Sequence, residues 1–139
     1  MKIKGDFITN SSSTSYVIIM DEDFTRDEFI SRMGGREGSE AAKLMGRIYD
    51  VLIGKAMDFK EEYKKYYKDE YNTFEEYLEK NRNFSKETQE KIIQAYEDKK
   101  IVLVGRNSSD GTPLETFLCL DDLILEAEGI YVDALDDIW

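Results

Sequence analysis

Apolar and polar positions follow two different periods along this chain, and the switches between them mark its elements. Tyr16-Val17-Ile18-Ile19-Met20 is an unbroken apolar run rich in β-branched residues, which predicts a strand buried on both faces. Ile101-Val102-Leu103-Val104 repeats that pattern and predicts a second strand. Leu123–Ala127 and Ile130–Asp133 flank Glu128-Gly129 and predict a hairpin. Between the first two runs the period lengthens to that of a helix.

Helix boundaries are written in capping chemistry. Thr25 followed by Glu28 forms a capping box, with Phe24 and Phe29 placed to staple it. Phe29, Ile30 and Met33 supply the inward stripe, and Gly34-Gly35 stops the helix. Ser39 caps a second helix whose Ala41, Leu44, Met45, Ile48, Val51 and Leu52 share a face. Gly46 and Gly54 weaken that helix and allow close approach of another element. Its period runs on without a break into an aromatic stripe of Phe59, Tyr63, Tyr66, Tyr67, Tyr71, Phe74 and Tyr77, with a restart where Thr73 and Glu76 offer another capping box. Ser85 caps a further helix that turns Ile92, Ile93 and Tyr96 inward. Thr112-Pro113-Leu114-Glu115 starts a short helix reaching about Leu120.

The order strand, helices, strand, short helix, hairpin gives the α+β class. The expected architecture is a small mixed or antiparallel sheet of about four strands, packed with a four-to-five-helix insertion between strands one and two. A length of 139 residues suits a single domain. Within it residues 1–15 form a polar N-terminal segment, 21–100 a helical region, and 101–139 the strand, short helix and acidic hairpin. Residues 9–15, Thr-Asn-Ser-Ser-Ser-Thr-Ser, read as a loop, and Asn107-Ser108-Ser109-Asp110-Gly111 as a turn. Phe7 and Tyr16 are expected to anchor in the core, with Asn10–Thr14 facing solvent.

The run Asp6-Phe7-Ile8-Thr9-Asn10-Ser11-Ser12-Ser13-Thr14-Ser15-Tyr16-Val17 resembles the opening of a family of small bacterial, archaeal and phage proteins. These begin with Phe-(Val/Ile)-(Ser/Thr)-Asn, a serine run, then Phe or Tyr and an apolar strand. This chain has Thr14 where the pattern has Ser, and Tyr16 where Phe is usual. The family is uncharacterised, so the resemblance implies no activity.

Composition removes whole classes of chemistry. No His is present, which excludes His-based acid–base catalysis, His metal ligation and the triads built on it. A lone Cys excludes an internal disulfide and Cys-based metal clusters. No apolar run approaches the roughly 18 residues of a membrane span, and a signal-peptide core is lacking, so a cytoplasmic location is expected. Asp21-Glu22-Asp23 fails as a calcium loop, with no Gly at its sixth position and Arg32 at its twelfth. The serine run lacks the glycines and Lys of a phosphate-binding loop. Catalytic residues, a metal and a cofactor are therefore not expected.

Charge is where the sequence points outward. The net charge is −11, and two blocks hold the excess: residues 21–28 carry five acids against Arg26, and residues 115–139 carry eight acids with no base. Such a field repels nucleic acid and anionic membrane and favours a basic protein surface. The leading expectation is a non-enzymatic acidic protein-binding module, such as a phage or mobile-element inhibitor that stands in for nucleic acid. Its contact residues would be Glu126, Tyr131, Asp133, Asp136, Asp137 and Trp139, with the acids at exposed positions. The aromatic stripe reads as core, although Lys60, Lys64, Lys65 and Lys68 interleave it as a stacking surface would require. The alternative is a small-molecule or nucleotide binder. Asn10-Ser11-Ser12 precedes strand one and Asn107-Ser108-Ser109 follows strand two, with Arg106 beside the second copy. If those strands pair antiparallel, both triplets and Arg106 meet at one end of the sheet.

Overall fold

A computed structural model describes residues 2–6, 13–80, 85–108, 113–118 and 121–135. Six strands, β1 (Lys2–Asp6), β2 (Ser13–Met20), β3 (Met57–Asp58), β4 (Ile101–Ser108), β5 (Asp121–Ala127) and β6 (Ile130–Leu135), form one sheet. Their order across it is β1-β5-β6-β2-β4-β3, and every neighbouring pair runs antiparallel. Among the described residues six helices accompany them: α1 (Arg26–Arg32), α2 (Glu40–Gly54), α3 (Phe59–Tyr66), α4 (Phe74–Lys80), α5 (Lys86–Glu97) and α6 (Pro113–Leu118).

The capping signals act as the sequence requires. Thr25 Oγ1 accepts from the Glu28 amide at 3.2 Å, Ser39 Oγ from Ala42 at 3.1 Å, Thr73 Oγ1 from Glu76 at 3.1 Å and Ser85 Oγ from Thr88 at 3.1 Å. Each satisfies an amide that the helix start leaves without a partner. Gly34, at φ +89°, follows α1 in the left-handed region.

Strand β2 is the axis of the molecule, paired with β6 on one side and β4 on the other. Its alternation sorts the core into two halves. Tyr16, Ile18 and Met20 pack with Leu125, Ile130 and Val132 against Phe29, Met33, Ile48, Leu52 and Leu118, that is, against α1, α2 and α6. Val17 and Ile19 pack with Val102 and Val104 against Phe59, Tyr63, Phe74, Tyr77, Leu78, Ile92 and Ala95 from α3, α4 and α5. Helices thus cover both faces, and this is why the β2 run is apolar at every position.

The α+β class holds, and several details change. The sheet has six strands rather than about four, and β3 divides the region expected to be wholly helical. The α2 period does not run on into the aromatic stripe. It ends at Gly54, and Asp58 starts a new helix by accepting from the amides of Lys60 at 2.9 Å and Glu61 at 3.2 Å. Ala41 and Leu44 face outward, since the packing stripe of α2 begins nearer Met45. The serine run is not all loop, nor is Asn107-Ser108 a turn: Ser13 pairs with Ser108, Thr14 with Asn107 and Ser15 with Arg106. Ladder pairing over eight residues overrides the coil preference of Ser and Asn. Tyr16 is buried as expected. Phe7, Asn10, Ser11, Ser12, Ser109, Asp110, Gly111 and Thr112 lie outside the described residues.

Candidate functional site

The β2–β4 register sets Arg106 opposite Ser15 at the serine-rich end of the sheet, on the face that carries Val17 and Val104. Around them a cleft of about 370 Å³ opens. Ser15, almost fully buried, lies in its wall with Gly105 and Arg106 of β4. Lys55 enters from the residue that ends α2, and Glu62, Tyr66 and Tyr67 enter from α3.

Local geometry explains how α3 comes to lie there. Met57 and Asp58 pair with Val104 and Leu103, so the chain arrives at the outer edge of β4 and Asp58 caps the helix directly over the face. Phe59 and Tyr63 bury themselves on the sheet, which leaves Glu62, Tyr66 and Tyr67 at the cleft. Glu62 is held by the Tyr77 hydroxyl, which donates to its Oε1 at 2.9 Å. The Tyr67 ring is stacked on Tyr77, 4.8 Å between centroids and 24° between planes. Tyr66 remains 58% exposed, with the Lys65 ammonium 5.2 Å from its ring centroid.

Chemically the cleft offers a guanidinium, an ammonium, a shielded hydroxyl, a fixed carboxylate and an aromatic ring. Arg presents five donors in a planar fork and Lys a mobile point charge. Among the described residues no three acids or Cys gather as a metal site. A roomier depression of about 470 Å³ lies between α1 and α2, but its polar side chains are Asp27, Ser31 and Glu37, with no cation.

No family model, curated protein or solved structure matches this chain.

The acids expected to form a docking face are differently disposed. Asp133 is half-buried beneath α5: Tyr131 donates to its Oδ2 at 2.8 Å and Thr88 at 3.3 Å. The β2–β6 register causes this, since Asp133 stands opposite Val17 on the α3–α5 face. Tyr131 is half-buried with the Lys91 ammonium 4.2 Å from its ring centroid, and burial together with the adjacent Asp133 raises its phenol pKa. Glu126 is exposed as expected. Asp136, Asp137 and Trp139 lie outside the described residues.

A second grouping joins the two acidic sequence blocks. The Asp21 amide donates to Gly129 O at 2.9 Å, so Asp21, Glu22 and Asp23 sit beside the β5–β6 turn that carries Glu128. Cations partly offset them: Lys100 pairs with Asp21 at 3.5 Å, Arg32 pairs with Glu28 at 3.4 Å, and the Arg32 guanidinium donates to Glu128 O. Sequence reasoning found Arg106 but missed Lys55, Glu62, Tyr66 and Tyr67 as its companions. The available signal was Asp58, a good N-cap before Phe59 with Glu61 and Glu62 in the following turn.

Proposed function

We propose that this protein is a small-ligand binding domain whose ligand carries an anionic group, received in the cleft between α3 and the serine-rich end of β2 and β4. The observation that carries the reading is the convergence of Arg106, Lys55 and Ser15 on one cleft, from three segments distant in sequence. The chain is acidic overall, yet two cations and one carboxylate, Arg106, Lys55 and Glu62, line this cleft. The cleft's volume falls within the range of small-ligand pockets, roughly 300–1,000 Å³. The expected Asn-Ser-Ser contribution narrows on the described residues to strand positions Asn107 and Ser108 near Arg106.

The test is thermal unfolding with inorganic phosphate, pyrophosphate and citrate. A ligand at a hundredfold excess over its Kd adds roughly 2.7 kcal/mol of stability, a rise of several degrees for a domain of this size. The Arg106→Ala variant should lose the rise, each protein being measured against its own midpoint without ligand. Equal shifts in wild type and variant would sink the proposal.

The acidic-module reading has one supporting observation of its own, the meeting of Asp21, Glu22 and Asp23 with the Glu128 turn. On that reading a basic protein surface docks at this pole. Association would then weaken steeply from low to high salt, and reversing Glu22, Asp23 and Glu128 to Lys would abolish it. A salt-indifferent partner would count against it.

A further inference from the structure

The acidic pole holds a guanidinium of the chain's own. Arg32 reaches it from the last residue of α1. Its Nη1 donates to Glu128 O in the β5–β6 turn, its Nη2 lies 3.4 Å from Glu28 Oε2, and its Cζ lies 5.5 Å from the Phe24 ring centroid. Gly129 makes room for it, since a methyl group there would lie 2.8 Å from Nη1 and 3.0 Å from Phe24 Cδ2. A carboxylate, a carbonyl, an aromatic ring and bare backbone together suit a planar, weakly hydrated guanidinium. The pole is thus more than a gathering of acids, because the structure shows the kind of group it receives. That group is loosely secured. Arg32 and Glu28 remain 34% and 42% exposed, and an ion pair open to water contributes little net stability.

We infer that Arg32 is an autoinhibitory contact: it occupies the place that an arginine of a basic partner protein takes, and docking exchanges one guanidinium for the other. The inference rests on the acidic-module reading above and adds the regulation of that pole. Exchange calls for no spare acceptor, because the partner's group takes over Glu28 and Glu128 O as Arg32 leaves them. It calls for no movement of the sheet either, since Arg32 departs by rotation of its own side chain at the helix end. While the contact is closed, apparent affinity for the partner is reduced by the fraction of molecules left open.

Calorimetric titration of the full chain with a hexa-arginine peptide at low salt tests it. Arg32→Ala should bind the peptide about fivefold more tightly than wild type, the factor that matches the upper range for an exposed ion pair. Lys86→Ala removes the same charge at the first residue of α5, on the helical layer across the sheet from α1, and should change affinity far less. Adding Glu28→Gln to Arg32→Ala should remove the gain, because the carboxylate that Arg32 releases is then neutral. Arg32→Gln retains an amide donor for Glu128 O, so it should gain affinity in the same direction even where the Ala variant loses stability. Equal gains in Arg32→Ala and Lys86→Ala, weaker binding by Arg32→Ala, or a gain that survives Glu28→Gln would overturn the autoinhibitory role while leaving the pole as a docking face. If the peptide binds no variant, the acidic-module reading falls with it.

Discussion

The two faces of the sheet are built from different materials. The face toward α1, α2 and α6 is largely aliphatic: Ile18, Met20, Ile48, Leu52, Leu118, Leu125, Ile130 and Val132 surround Phe24 and Phe29. The face toward α3, α4 and α5 is aromatic and threaded with polar atoms. Tyr63 donates to Tyr71 O at 2.6 Å, Tyr77 to Glu62 at 2.9 Å, Tyr96 to Asp58 at 3.3 Å and Tyr131 to Asp133 at 2.8 Å. Aliphatic side chains gain only from area and fit, and Tyr16 adds a buried hydrogen bond on that face, its hydroxyl donating to Leu52 O at 2.8 Å. Phenols bury a ring and still fix a polar atom at its rim. The Arg106 cleft lies on the aromatic face because strand alternation puts Ser15 and Arg106 there, with Val17 and Val104.

Truncating each face at its centre is the harshest way to break this comparison. Tyr77→Ala removes a fully buried ring that meets Phe59, Tyr63, Tyr67, Tyr71 and Phe74, and should cost about 3–5 kcal/mol in urea unfolding. Phe29→Ala should cost a similar amount on the opposite face. The faces separate in the milder change: Tyr77→Phe keeps the ring, removes the hydroxyl that donates to Glu62, and should cost about 1–2 kcal/mol. A Tyr77→Phe variant as stable as the wild type would show that the hydroxyl adds nothing to the ring.

Gly105 tests the aliphatic face from within the sheet. A methyl group there would lie 2.6 Å from Tyr16 Cζ, and Tyr16 is held because its hydroxyl donates to Leu52 O at 2.8 Å. Gly105→Ala should therefore destabilise by about 1–3 kcal/mol through overpacking. Combining it with Tyr16→Leu should recover part of that loss, and strict additivity would show that the two residues do not clash.

The polar thread of the aromatic face predicts a graded response at Asp133. Asp133→Ala leaves the Tyr131 and Thr88 hydroxyls without their acceptor and should cost about 1–3 kcal/mol, whereas Asp133→Asn retains an acceptor and should cost less. Equal losses would mean that charge rather than hydrogen bonding matters there.

The smallest effect is alkaline. Burial raises the phenol pKa of both Tyr96 and Tyr131 above their ordinary value of 10, helped by Asp58 and Asp133 respectively. A group that resists ionisation in the folded state contributes its stability fully below pH 10 and loses it as pH rises toward the raised value. Unfolding free energy should fall above pH 10, and Tyr131→Phe should flatten that fall. An unchanged slope in the variant would assign the alkaline loss elsewhere.

Much of this arrangement is legible in the residues. The capping pairs at Thr25, Ser39, Thr73 and Ser85 depend on atoms three residues apart, so the chain declares them locally. The apolar runs of β2 and β4 and the Glu128-Gly129 hairpin declare themselves through period alone. The site was half legible. Arg106 and the serine run drew attention as a cation beside repeated hydroxyls, yet Lys55 and Tyr66 belong to a stretch whose helical period conceals the break at 55–58. Asp133 misled because alternation tells which residues share a face and not which face a helix will cover.

By itself the sequence determined element type, helix starts, the doubly buried central strand and the acidic balance, since each depends on neighbours within a few positions or on composition. Tertiary structure alone decided the strand order, the extension of β2 and β4 into their serine-rich ends, the burial of Asp133, and the meeting of Arg106 with Lys55, Glu62 and Tyr66. Those outcomes depend on which surfaces, distant in sequence, are buried against one another. That choice is made by the summed burial of two cores, and no single residue carries enough free energy to announce it.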